Sequence, residues 1–151
     1  MRLSEALGLV WSDVNLDHEC VCPHVSLKPH PWRPLKTSGS KRLIPLVGAA
    51  HEAIIIMHRQ RVSQFLFNSY TDGKRCNGNS ASAALNKWLK QYVPGAVVHS
   101  FRHSFRDRMR NAGVESEMID QLGGWSNKTV GQGYGTGYEL DKMSETIKLI
   151  I

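Results

Sequence analysis

The hydrophobic period of the chain changes near Gly48, and this change limits the possible fold more than any other feature of the sequence. Between about residues 14 and 46, short apolar segments are separated by prolines and by a Ser-Gly-Ser turn at 38–40. Such segments are typical of a small antiparallel sheet. The three predicted strands read VCPHVSL, PWRPLKT and KRLIPL. Because proline lacks the amide hydrogen that a strand ladder needs, the proline-rich middle strand is expected to be irregular or at an edge.

From Gly48 onward the apolar residues recur every three or four positions, which predicts helices. A short helix is also predicted at 2–8, closed by Gly8, while the Gly-, Asn- and Lys-rich stretch 68–79 predicts an exposed loop. The other predicted helices cover residues 53–62, 80–93, 100–112, 115–122, 126–133 and 139–150. We therefore expect a mainly α (α+β) domain in which helices accompany a small three-stranded antiparallel sheet.

Length and charge narrow the class of protein. With 151 residues, 41% of them apolar, the chain can bury one core and is short for two domains. Nineteen Lys and Arg against thirteen Asp and Glu give a net charge of +6, which favours a polyanionic partner such as DNA but does not establish one. The odd number of cysteines, the lack of a bilayer-length apolar run and the lack of a signal-peptide layout favour a cytoplasmic location.

The segment HSFR contains the first candidate site. His99 lies one turn before Arg102 at the start of a predicted helix, so both side chains can reach one ligand. A phosphate bound there would also meet the free backbone N–H groups and the positive end of that helix. A solvated basic stripe with a histidine cap is the alternative interpretation. That stripe consists of Arg102, Arg106 and Arg110.

Four spans extend this site, namely RLSEALGL, LKTSGSKRLIPL, HSFRHSFRDRMRNAGV and LGGWSNKTVGQGYG. Together, in this order, they resemble the catalytic domain of a tyrosine recombinase of the phage integrase type. The resemblance extends from Arg2 to about Tyr138, and Tyr134 follows Trp125 by nine residues, as that family requires. It implies the tyrosine recombinase (DNA breaking-rejoining) fold and site-specific recombination of DNA. In that family an N-terminal DNA-clamping domain usually precedes this one. Because a helix already begins at Arg2, we expect that domain to have been removed.

The resemblance also implies a role for each site residue. Arg2 and Arg102 would hold the nonbridging oxygens of the scissile phosphate, which suits the planar, permanently charged guanidinium group. Glu5 would orient Arg2 from one turn along the helix. His99 would share the handling of protons, and Lys36 would protonate the departing 5′ oxygen.

Trp125 and Tyr134 complete the implied catalytic set of six residues. The Trp125 indole would donate to the phosphate and pack against the site, and Tyr134 would be the nucleophile that forms a covalent 3′-phosphotyrosine. With this positive cluster present, neither a metal nor another cofactor is expected. Further candidate contacts to DNA are Arg33, Lys41, Arg42 and Arg106.

Several of these assignments have alternatives. Arg2 could be a surface residue, Trp125 could be a core residue, and Tyr138 competes with Tyr134 as the nucleophile. Lys28 and Lys41 compete with Lys36. The alternating set His18, Cys20, Cys22 and His24 invites a zinc hypothesis, but the C-x-C spacing is unlike that of a zinc finger, so no metal is expected.

The apolar stripe of the last predicted helix bears on assembly. The resemblance favours passing this helix to a neighbouring subunit in a homotetramer on DNA, with folding back onto its own core as the alternative. It also implies a bacterial host cell, a location near the nucleoid and possible accessory DNA-bending proteins. The alternative functions are a non-catalytic DNA-binding remnant of an integrase and a DNA-relaxing enzyme similar to type IB topoisomerases.

Overall fold

The computed structural model describes residues 1–17, 22–37, 40–125 and 137–151. Within these ranges the chain forms six α-helices, three β-strands and two short 3₁₀ turns. The helices are α1 (Leu3–Leu7), α2 (Gly48–Arg59), α3 (Gly78–Leu89), α4 (Ser100–Asn111), α5 (Ser116–Gly123) and α6 (Leu140–Lys148). The strands are β1 (Val14–Asn15), β2 (His24–Leu27) and β3 (Arg42–Pro45), and the 3₁₀ turns cover Trp11–Asp13 and Asn68–Tyr70. The predicted mainly helical α+β class is confirmed.

The three strands form one antiparallel sheet with β2 in the centre. Val25 of β2 pairs with Val14 on one side and with Ile44 on the other. Because side chains alternate between the two faces of a strand, Val25 and Leu27 point to the same face, and both are fully buried. They belong to the first core cluster, which contains Leu9, Val25, Leu27, Leu46, Ile54 and Leu66.

The prediction that PWRPLKT forms the middle strand is wrong. Residues 31–37 form no strand. The strand that completes the sheet beside β2 and β3 is the two-residue β1. His30 and Arg33 exchange both backbone hydrogen bonds, at 3.1 and 2.9 Å, so the chain reverses tightly at Pro31 and Trp32. The prolines of this segment remove ladder donors, and the reversal turns the Arg33 side chain into the protein.

The predicted helices agree with the described ones to within a few residues at most ends. The α3 helix begins earlier than predicted because the Asn77 side chain caps it by accepting from the backbone N–H of Ser80 at 3.1 Å. The α2 helix begins at Gly48 rather than residue 53. The predicted helix at 126–133 lies outside the described residues. None of the described helices has the length and apolar character that crossing a membrane would require.

A second core cluster joins the last three helices, and α6 packs in it against its own chain. Its members are Met109, Met118, Ile119, Leu122, Met143 and Ile150. Met143 of α6 is 3% exposed, and α6 also contacts β3. In this single chain the terminal helix is folded back on its own core.

Candidate active site

Arg2 and Glu5 form one edge of the site through the first turn of α1. Glu5 Oε2 accepts from the Arg2 backbone N–H at 2.7 Å, and Glu5 Oε1 accepts from Arg2 Nη1, also at 2.7 Å. The Glu5 carboxylate therefore both accepts from a backbone N–H that the helix leaves free and orients the Arg2 guanidinium group. The contact between these two residues that the sequence predicted is present. Glu5 is 3% exposed, whereas 28% of the Arg2 side chain remains exposed.

The Glu5 carboxylate also pairs with a second arginine. Arg42 Nη2, at the start of β3, donates to Glu5 Oε2 at 3.2 Å. Burial by itself would raise the pKa of Glu5, but the hydrogen bonds from Arg2 and the positive charges of Arg42 and Arg2 outweigh burial and lower that pKa. Glu5 is therefore a carboxylate at neutral pH and holds two guanidinium groups beside the site.

Arg102 is brought to the site from the first turn of α4. Its Nη1 donates to the Gly123 carbonyl at 2.9 Å, and its guanidinium carbon lies 4.3 Å from the centre of the Trp125 ring. Burial, and then the positive charge of Arg2, lower the pKa of Arg102 below the usual arginine value. The Arg2 and Arg102 guanidinium groups are thus close enough to repel each other, and an anion between them would relieve that repulsion.

The two glycines of LGGW, Gly123 and Gly124, form the turn at the end of α5 that positions Trp125. At Gly124 the backbone is left-handed, with φ of 65°, and the Trp125 N–H donates to the Asp120 carbonyl at 3.0 Å. This pattern closes α5 as a Schellman motif does and projects Trp125 back over the helix end. A Cβ on Gly123 would collide with the Trp125 ring, so the residue before the turn must also be small.

These side chains border one cleft of about 480 Å³. Four of the six predicted catalytic residues line it, namely Arg2, His99, Arg102 and Trp125. The rest of the lining is mostly apolar and includes Leu3, Phe105 and Ile147. The structure thus brings residues from positions 2 to 125 to a single cleft, with guanidinium groups set beside apolar walls that weaken the screening of charge.

Lys36 lies on the exposed hairpin before β3 and is not among the residues that line the cleft. The hairpin is nevertheless connected to Arg2. Arg2 Nη1 donates to Ser40 Oγ at 3.2 Å, and Ser40 Oγ lies 3.0 Å from Thr37 Oγ1, next to Lys36. The sequence interpretation missed Ser40. Its small polar side chain beside the KT pair was the only local signal.

The two competitors of Lys36 have different surroundings. Lys28 Nζ lies 3.6 Å from Asp13 Oδ1, in a separate group of charges, whereas Lys41 is exposed on the hairpin. The structure therefore leaves Lys36 and Lys41 as the lysines that solvent or DNA can reach next to Ser40.

Tyr134 lies outside the described residues, but its competitor Tyr138 is described. The Tyr138 hydroxyl donates to Glu115 Oε2 at 2.6 Å. This hydrogen bond raises the pKa of Tyr138 to about 12, with smaller contributions from desolvation and from the charges of Glu115 and Glu117. A nucleophilic tyrosine needs its ionised form favoured, so these surroundings are unfavourable for that role.

Two of the four predicted DNA contacts are wrong in this structure because their side chains are turned inward. Only 1% of the Arg33 side chain is exposed, and its guanidinium donates to Asp13, to the Glu5 carbonyl and to the Lys28 carbonyl. Arg42 is similarly enclosed, as described above. Lys41 is exposed, and Arg106 is partly exposed while it pairs with Asp120 at 3.0 Å.

No group of three His, Cys, Asp or Glu side chains in the described ranges is arranged to hold a metal ion. Of the alternating set weighed for zinc, His18 and Cys20 lie outside those ranges. His24 Nδ1 lies 2.9 Å from the Cys22 carbonyl oxygen, which occupies one of its ring nitrogens.

The chain was compared with models of known protein families. The family model described as "Phage integrase family" matches residues 1–138. No curated protein and no solved structure shows significant similarity to the chain. Proteins of the matched family carry out site-specific recombination on a DNA substrate. The match covers most of the chain and includes every described residue that lines the cleft except Ile147, so the chain belongs to the phage integrase family, that of the tyrosine recombinases.

Proposed function

We propose that this chain is the catalytic domain of a site-specific DNA recombinase that cleaves and rejoins strands through Tyr134. The observation that carries the proposal is the convergence of Arg2, His99, Arg102 and Trp125 on one cleft. A DNA phosphodiester placed there would meet two guanidinium groups, an imidazole and an indole, all of which can donate hydrogen bonds. Such preorganised donors stabilise the charge that develops during phosphoryl transfer.

In the proposed cleavage step, Tyr134 Oη forms a bond to phosphorus while the bond from phosphorus to the 5′ oxygen breaks. The tyrosine proton passes to His99, and Lys36 supplies a proton to the departing 5′ oxygen, so the net protonation of the protein is unchanged. Arg2 and Arg102 hold the nonbridging oxygens throughout. The phosphotyrosine conserves the phosphodiester bond energy, so a new 5′ hydroxyl can reverse the step without ATP.

The wider biological role follows from the same proposal. The domain serves a phage or other mobile element, acts as a homotetramer on DNA, and works with accessory DNA-bending proteins. Lys41 and Arg106 contribute contacts to the DNA backbone, since both side chains retain exposed surface.

A suicide substrate tests the proposal directly. A duplex carrying a nick beside the scissile phosphate loses its short fragment after cleavage, so the covalent protein–DNA adduct accumulates and can be resolved on a denaturing gel. We expect an adduct with the wild-type chain and with Tyr138→Phe, and none with Tyr134→Phe. Loss of the adduct with Tyr138→Phe alone would reassign the nucleophile.

The alternative functions give different results in the same assay. A wild-type chain that binds the duplex but forms no adduct would be a non-catalytic remnant. An adduct accompanied by relaxation of supercoiled plasmid, without strand exchange between two sites, would indicate an enzyme similar to type IB topoisomerases.

A further inference from the structure

Arg42 is buried at the junction of three parts of the site. Only 5% of its side chain is exposed, and each of its three guanidinium nitrogens donates to a different group. Nη2 donates to Glu5 Oε2 at 3.2 Å, Nη1 to the Ser40 carbonyl at 2.7 Å, and Nε to the Leu122 carbonyl at 3.2 Å. All three nitrogens are therefore used inside the protein.

These three contacts reach the supports of both cleft arginines. Among the described residues, Glu5 and Ser40 accept hydrogen bonds from the Arg2 guanidinium group. Leu122 precedes Gly123, whose carbonyl accepts from Arg102. Arg42 thus connects α1, the hairpin before β3 and the end of α5 at the points where Arg2 and Arg102 are held.

The turn after α5 leaves room for this guanidinium group. A Cβ on Gly124 would collide with Nη1 and Cζ of Arg42, and the left-handed backbone at Gly124 also disfavours any side chain. The second glycine of LGGW therefore leaves space for the Arg42 guanidinium group, and the first leaves space for the Trp125 ring. This packing is independent of the hydrogen bonds.

Burying a guanidinium group at this point is costly because the charge loses its hydration. Apolar residues of similar volume often stabilise a core as well or better. Arg42 also adds positive charge where Arg2 and Arg102 already repel each other, and burial is the largest factor that lowers the pKa of Arg42. One Glu5 carboxylate among three guanidinium groups leaves positive charge in excess beside the cleft. Stability alone does not account for an arginine here.

We propose that Arg42 is a positioning residue that sets the distance and orientation of Arg2 relative to Arg102, so that both guanidinium groups meet the nonbridging oxygens of one phosphate. It does not touch the DNA. This inference rests on the proposed function of the cleft. Misplacing a catalytic group by about 1 Å can cost on the order of 100-fold in rate, so a change at Arg42 is expected to act on the chemical step.

The experiment compares Arg42→Lys with Arg59→Lys, a matched control on the exposed surface of α2. Single-turnover cleavage of the suicide substrate is measured at saturating protein, and DNA affinity is measured separately. We expect Arg42→Lys to slow cleavage by roughly 10- to 100-fold with nearly unchanged affinity, and Arg59→Lys to change neither. A weakened affinity with an unchanged saturated rate would make Arg42 a DNA contact and overturn the proposal.

A second substrate separates positioning from a general structural role. In a methylphosphonate duplex, a neutral methyl group replaces one nonbridging oxygen of the scissile phosphate, so accurate placement of two guanidinium groups matters less. Arg42→Lys should therefore slow cleavage of the phosphodiester much more than cleavage of the methylphosphonate. Equal slowing of both substrates would mean that Arg42 acts only on the overall fold, and would contradict the proposal.

The final readout requires no activity, so it distinguishes this inference from the proposed function. In nitrogen-15 spectra, the side-chain Nε–H signals of Arg2 and Arg102 are assigned with Arg2→Lys and Arg102→Lys. We expect both signals to shift or broaden in Arg42→Lys and in Gly124→Ala, but not in Arg59→Lys. Unmoved signals in variants with a wild-type circular dichroism spectrum would overturn the inference. An absent adduct with wild type would overturn only the proposed function.

Discussion

Two buried carboxylates, Glu5 in α1 and Asp13 in the 3₁₀ turn that follows, pair with basic side chains in contrasting ways. Asp13 is 2% exposed, and its oxygens lie 3.0 Å from Arg33 Nη2, 2.9 Å from His30 Nε2 and 3.6 Å from Lys28 Nζ. Glu5 holds Arg2 and Arg42, but Arg2 keeps a face on the cleft. The same pairing chemistry thus produces a closed group at Asp13 and an open one at Glu5.

The difference lies in which hydrogen-bond donors remain available. The Arg33 guanidinium also donates to the Glu5 and Lys28 carbonyls, and its position is fully enclosed. Because Arg33 donates to the Glu5 carbonyl, the group around Asp13 also helps to hold α1 in place. At the open group, Arg2 and Arg102 face a shared space with charge that the protein does not balance. A buried ion pair therefore points to a binding site when one of its side chains still has charge and hydrogen-bond donors facing a cleft, as Arg2 does.

The largest effect on stability is expected from Asp13→Asn. This change leaves the Arg33 charge buried without its counter-charge, and removing one partner of a buried pair typically costs about 3–5 kcal/mol. The free energy of unfolding from urea titration measures it. Asp107→Asn is the matched control, because Asp107 and Arg110 form an exposed pair at 4.0 Å that contributes about 0–1 kcal/mol. Equal losses in the two variants would remove the distinction between the closed group and a surface pair.

A similar free energy, expressed as rate, is expected from Arg102→Lys. Lysine keeps the charge but loses the planar fork, which donates to the Gly123 carbonyl and, in the proposed function, to a phosphate oxygen as well. Loss of one preorganised donor costs on the order of 100- to 1,000-fold in rate, so single-turnover cleavage should fall by this factor. The thermal midpoint should change little. A large fall in that midpoint with an unchanged rate would assign Arg102 to the closed, structural kind.

A smaller and pH-dependent effect is expected from Glu5→Gln. Because the pKa of Glu5 is lowered in the folded protein, its stabilising contribution is present above the unfolded pKa of about 4.3 and is lost as the pH falls through the folded value. Urea titrations between about pH 3 and pH 6 should therefore show a shallower loss of stability on acidification in the variant. At neutral pH the cost is roughly 1–3 kcal/mol, smaller than at Asp13 because part of the charge that Glu5 balances, on Arg2, reaches solvent. An unchanged acid profile would mean that Glu5 does not stabilise the fold through its charge.

The smallest effect is expected at the Tyr138–Glu115 hydrogen bond, where a carboxylate meets a neutral phenol near the surface. Glu115→Gln should lower the Tyr138 pKa from about 12 toward the usual tyrosine value of about 10, and an absorbance titration with Tyr138→Phe as the reference measures it. Stability linked to this raised pKa is present below about pH 10 and is lost as the pH rises toward 12. Because the pair is exposed and solvent screens it, removing the pair should change the stability at neutral pH only slightly. A Tyr138 pKa that stayed near 12 would show that Glu115 is not the cause.

Much of the site could be predicted because its signals are local. The spacing of His99 and Arg102 on α4, and of Arg2 and Glu5 on α1, depends only on helix geometry, and the structure has both helices. The proline-rich segment showed its irregularity in the sequence as well. Its status as a strand was nevertheless overestimated, because two prolines and a reversal leave too few ladder donors.

The fates of Arg33 and Arg42 could not be predicted in the same way. In the sequence, both arginines belong to a basic segment, and such residues are expected to contact DNA. Their burial depends on carboxylates 20 and 37 positions earlier in the chain, and a single sequence does not show which arginine will meet which carboxylate. Long-range pairing, rather than helix period, decides between a surface charge and an internal one.

The length of α1 has a consequence for when the site exists at all. A helix of five residues has no stability of its own in water, so Arg2 is held in place only while Arg33, Arg42 and Ser40 contact this segment. Its partner Arg102 follows one hundred positions later in the chain. Chains that are still folding, or that have partly opened, cannot present the two guanidinium groups together. The arrangement of Arg2 and Arg102 on one cleft is therefore a property of the completely folded chain alone.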